Sequence, residues 1–95
     1  MQNKPHIIAI LSIRIADSPV KGLIYILEHN SKKAAFCTCR GQTSDVYFSE
    51  EEAESYHLCR EWFMDKFDGF VQTRKLEGDE EIQAINDFKE FIGLF

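Results

Sequence analysis

The sequence predicts an α+β fold: an antiparallel meander of three to four strands with two amphipathic helices packed on one face. Three observations carry this. Residues 6–15 alternate as a strand does, residues 49–67 and 79–95 repeat with helical spacing, and the main strand-like segments precede the first helix.

In "HIIAILSIRI" (6–15), Ile7, Ala9, Leu11, Ile13 and Ile15 share one face, and Ser12 and Arg14 lie on the other. Ile8 and Ile10 make the first half apolar on both sides, as suits an interior strand. "ADSPVK" breaks the pattern. Residues 18–29 carry two signals. Ser18-Pro19 with Val20, Leu23, Ile24 and Leu27 has helical spacing, whereas Gly22 and the isoleucines flanking Tyr25 favour a strand. A hairpin is the better reading: "HNSK" turns the chain and "AAFCTC" returns it. "GQTS" is another turn and "DVYF" a short fourth strand.

"SEEE" follows, with Ser49 as N-cap and Glu52 three residues on, a capping box. The helix it opens runs to about Phe67, with Tyr56, Cys59, Phe63 and Phe67 along one stripe, widened by Leu58 and Trp62. Asp68-Gly69 ends it. Residues 70–76 fit a strand or a connection equally well. A second helix starts near Asp79, its candidate cap, and turns Ile82, Ile85, Phe88, Ile92 and Phe95 to one side.

The 95 residues make a single small domain spanning 1–95. The N-terminal apolar run is interrupted by Ser12 and Arg14, which disfavours a secretion signal, and no stretch approaches the ~20 apolar residues of a membrane span. Three cysteines are an odd number, so a disulfide framework is disfavoured and a reducing, cytoplasmic setting is expected.

Cys37 and Cys39, with His57 and Cys59 further on, invite a metal or redox reading. In a strand, Cys37 and Cys39 share a face with Cα atoms ~6.5–7 Å apart, at the upper edge of what a disulfide spans. His57 and Cys59 stand two positions apart on a helix and diverge by ~200°, so they cannot easily converge on one ion. The expectation is that all three thiols are core and that neither metal nor cofactor is held.

Net charge is −5, but residues 1–48 carry six Lys/Arg against three Asp/Glu, whereas residues 49–95 carry five against thirteen. The acidic balance disfavours general nucleic-acid binding, which needs cations to displace counterions from phosphates. No phosphate-binding glycine loop, G-x-S-x-G or H-E-x-x-H is present. The expected function is therefore a non-catalytic protein-binding module, a small acidic regulator or inhibitor of a protein with a basic surface. Imitation of DNA charge against a nucleic-acid-handling complex is one form of it. Its candidate partner-binding residues are Glu50, Glu51, Glu54, Glu61, Trp62 and Asp65: carboxylates for steering, and an aromatic to anchor. Two alternatives stand beside it. One is a nucleic-acid-binding domain using Lys21, Lys32, Lys33 and Arg40 of the hairpin; the other is a metal- or thiol-dependent protein centred on the cysteines. The apolar C-terminus and an uncovered sheet edge also permit a homodimer.

Overall fold

The computed structural model describes residues 6–29 and 31–92, save the side chains of His29, Glu90, Phe91 and Ile92. Its elements run β1 (His6–Ile15), β2 (Lys21–His29), β3 (Lys32–Cys39), β4 (Gln42–Thr43), β5 (Tyr47–Ser49), α1 (Glu52–Lys66), β6 (Val71–Lys75) and α2 (Asp79–Ile92). The strands form one antiparallel sheet in the order β4-β3-β2-β1-β6, with β5 also on β3. The α+β class and the antiparallel meander with two helices are as the pattern predicts, and within residues 18–29 the strand reading holds over Lys21–His29.

The sheet has six strands rather than three or four. One addition is β6, from the segment whose pattern was neutral. The other is a split edge: β4 pairs with Thr38 and Cys39, β5 with Lys33, Ala34 and Ala35. Between them Ser44 keeps the ladder bonded. Its amide donates to the Cys37 carbonyl (2.8 Å), and its hydroxyl accepts from the Cys37 amide (2.9 Å). A side-chain oxygen thus stands in for a strand carbonyl where the edge bulges.

The two helices lie on opposite faces rather than on one. Ile13, Ile15, Ile24, Ile26, Ala35, Cys37 and Cys39 pack with Cys59 and Phe63 of α1. Ile10, Tyr25, Leu27, Ala34 and Phe36 pack with Leu76 and with Ala84 and Phe88 of α2. The cause is in the strands: β2 and β3 are apolar at consecutive positions, so both faces must be removed from water. In β1, the register slips between Ile7 and Ala9. This bulge sends Ile7 to the α2 cluster, while Leu11, Ile13 and Ile15 keep the α1 side.

Gly22 stands hard against the end of β3. A Cβ there would meet the Thr38 carbonyl oxygen at 2.2 Å, so no larger residue fits without a shift. Among the described residues no helix is long and apolar enough to cross a membrane.

Candidate functional site

The start of α1 differs from the capping box. Ser49 is the last residue of β5, paired with Lys33, and the cap position falls on Glu51, whose side chain makes no capping bond. Strand pairing holds Ser49 away from the helix axis. Its hydroxyl donates instead to the Glu51 carbonyl and meets the buried Ser55 hydroxyl at 2.7 Å. The helix closes at Lys66, with the Phe67 amide on the Phe63 carbonyl (3.1 Å), and the positive φ of 126° falls on Gly69. On α2, Asp79 is the first helical residue rather than its cap. Ala84 and Phe88 are buried, Ile85 is half-buried and Ile82 is exposed; the Ile92 side chain and Phe95 lie outside the described residues.

Beneath α1, Ser55, Cys59 and Phe63 are buried and Tyr56 and Trp62 flank them half-buried. On the solvent side, Glu51, Glu54, Glu61 and Asp65 recur at intervals of three, seven and four residues, which places them on one helical stripe. All four are exposed, as is Glu50 just before the helix, and among the described residues none of the five forms an ion pair. Leu58 fills the gap in the stripe, half-buried. Trp62 borders it, packed on the α1 core, with the Lys66 ammonium 4.9 Å from its ring centroid. The predicted partner residues are thus brought together, except that the indole is committed partly to the core. Leu58 was missed as an apolar member of the stripe; the 3-4-3-4 spacing through residue 58 is the signal for it.

The cysteines line the α1 core. Cys37 and Cys59 are fully buried, Cys39 nearly so, and all three are free. Burial pushes the Cys37 thiol up to about 12 and raises Cys59 and Cys39 as well. Such thiols are poor nucleophiles. Among the described residues no group of three or more His, Cys, Asp or Glu side chains could hold a metal.

The hairpin cations separate. Lys32 and Lys33 stand at the β2–β3 turn, where the Lys33 ammonium is 2.8 Å from Glu28 and holds that carboxyl below its usual range. Lys21 and Arg40 stand at the far end of the same strands. There they border a groove of about 1470 Å³ on the α2 side, floored by β1, β2, β3 and β6. α2 covers only the half of this face that holds Tyr25, Phe36 and Leu27. In the uncovered half the register aligns Thr38, Leu23, Ser12 and Arg74 in one cross-strand row and Lys21, Arg14 and Gln72 in the next. Asp79, Glu80 and Asp87 of α2 form one wall. Arg74 pairs with Glu80 at 3.2 Å across the exposed rim. Comparison with known protein families, characterised proteins and solved structures gives no match for this chain.

Proposed function

We propose that the chain is a non-catalytic protein-binding module, a small acidic regulator or inhibitor whose α1 stripe docks on a basic surface of another protein in a reducing, cytoplasmic setting. One observation carries this reading: Glu51, Glu54, Glu61 and Asp65 occupy a single exposed stripe with no ion-pair partner among the described residues, bordered by Leu58 and Trp62. Unpaired carboxylates keep their full field for steering a cationic partner. The two half-buried apolar side chains beside them offer the contact area that charge alone lacks. Spaced carboxylates on a rigid helix also suit imitation of a phosphate row, the special case in which the partner handles DNA.

The test is affinity capture from the native lysate with wild-type protein beside the E51Q/E54Q/E61Q/D65N variant. A stoichiometric partner released by salt from the wild type and absent from the variant supports the reading. A partner retained equally by both sinks the acidic stripe as the interface.

A further inference from the structure

The uncovered half of the α2-side face carries charge of the opposite sign, and its arrangement is costly to the free protein. Arg14 stands directly opposite Lys21 in the β1–β2 register. Their alternation places both on the α2 side, because Ile13 and Ile15 of β1 and Ile24 and Ile26 of β2 face α1. Like charges directly opposite one another on a sheet destabilise it. Among the described residues neither Arg14 nor Lys21 forms an ion pair; the Arg14 guanidinium reaches only the Ser18 carbonyl, at 3.5 Å. Arg74 lies one row away on β6, held by Glu80 at 3.2 Å, and the Arg40 guanidinium turns to the Phe67 ring, 5.8 Å from its centroid, so the unpaired cations of the row are Arg14 and Lys21.

The surroundings of this row mix hydrogen-bonding groups, Ser12, Thr38, Thr43 and Gln72, with the apolar side chains of Leu23 and Leu76. At its β6 end, Phe70 is 72% exposed and lines the same groove. Next to the Arg14–Lys21 row, this offers an open aromatic face beside unpaired cations, the combination that holds a single nucleic-acid strand by stacking and phosphate contact. From β6 to β3 the rows cross three strand spacings of ~4.8 Å, about 14 Å in all, enough for two or three nucleotides. The carboxylate wall of Asp79, Glu80 and Asp87 matters too. It repels a duplex, which presents phosphates on both sides, but tolerates one strand laid along the far row.

We propose that the groove beside α2 binds a short single strand of nucleic acid, with phosphates on Arg14 and Lys21 and a base on Phe70. This surface is separate from the α1 stripe and does not depend on it.

The experiment is fluorescence anisotropy with a labelled oligodeoxythymidine of about a dozen nucleotides, a duplex of equal length and a polyglutamate peptide. The single strand is expected to bind at low salt with Kd of roughly 1–100 µM. Duplex and peptide should each bind at least about tenfold more weakly, given the acidic wall and the absence of bases to stack. The R14Q/K21Q variant should weaken binding and make the slope of log K against log salt shallower by about 1.4, since two phosphate contacts are lost. Phe70→Ala should cost roughly tenfold without changing that slope. Arg74→Gln serves as a second charge variant, with melting curves confirming that each protein folds, and E54Q/E61Q should not weaken binding. Absence of single-strand binding by the wild type overturns the proposal, as does an R14Q/K21Q protein that binds like the wild type. A duplex bound equally well overturns the single-strand assignment. Polyglutamate bound as tightly as the oligonucleotide would assign the groove to an acidic protein segment instead.

Discussion

The two faces of the sheet solve the same burial problem with different side chains. Against α1 the floor is built from small and branched residues, among them Ala35, Cys37 and Cys39, and α1 seats Cys59 and Phe63 directly in it. Against α2 the floor is aromatic. Tyr25 stacks on Phe36 with centroids 5.0 Å apart, and Phe88 comes down from the helix at 5.5 and 6.2 Å from the two rings. α2 rests on that aromatic patch alone, and the rest of the face is left as groove. The difference teaches that a sheet apolar on both faces need not be covered equally by its two helices.

The largest expected effect tests that contrast. Phe63→Ala should destabilise by ~3–5 kcal/mol, because the site is sealed on every side and cannot collapse. Phe88→Ala should cost about half as much, since α2 rests on the aromatic patch alone and can settle toward the sheet once the ring is removed. Urea denaturation of both variants checks this; equal losses would mean that α2 is seated as firmly as α1.

An alkaline titration follows in size. The unfolded thiols ionise near 9.0, whereas Cys37 in the folded protein is held up to about 12 and Cys59 is raised too. Folding therefore favours the protonated thiols. Their contribution is fully present below pH 9 and is lost as pH rises toward the folded values. Urea midpoints stepped from about pH 8 to about pH 11 should fall, and fall less in Cys37→Ala than in the wild type. No such difference would place the thiols in contact with water.

Tyr25→Phe removes the hydroxyl that donates to the Ala84 carbonyl at 3.1 Å. We expect a loss of ~0.5–1.5 kcal/mol, with faster amide exchange in α2 and little change in α1. Smallest, and opposite in sign, is Arg14→Gln. Relief of the like-charge pair with Lys21 should raise stability by ~0.2–1 kcal/mol, read from the urea midpoint at low salt.

Much of the α1 side is readable in the residues alone. The alternation in β1, the core position of the thiols and the stripe under α1 follow from period and from residue type. The assignment of helices to faces does not follow. Consecutive apolar residues in β2 and β3 show that both faces are buried, but not which helix goes where. Ser49 misleads because a capping box is a local signal, and here the pairing of Ser49 with Lys33 overrides it. The bulge at Ile8 is silent in the sequence, since every residue around it is apolar. The carboxylate stripe could be drawn from spacing. The groove could not, because its β6 side, with Arg74 and Phe70, joins Arg14 and Lys21 only once β6 is placed beside β1.

That placement has a consequence for how the chain is made. The β1–β6 ladder joins pairs such as Ser12 and Arg74, a separation of 62, and it is sealed by the Ala16 amide on Phe70 and the Leu76 amide on Ile10. Loop closure of that length is slow compared with forming the β2–β3 hairpin. While the chain emerges from the ribosome, one side of β1 waits with its amides and carbonyls open until β6 has been synthesised. The isoleucine-rich strand is then an exposed edge, ready to pair with another chain. Aggregation during expression, rather than loss of equilibrium stability, is the expected penalty of any change that delays the docking of Val71–Lys75.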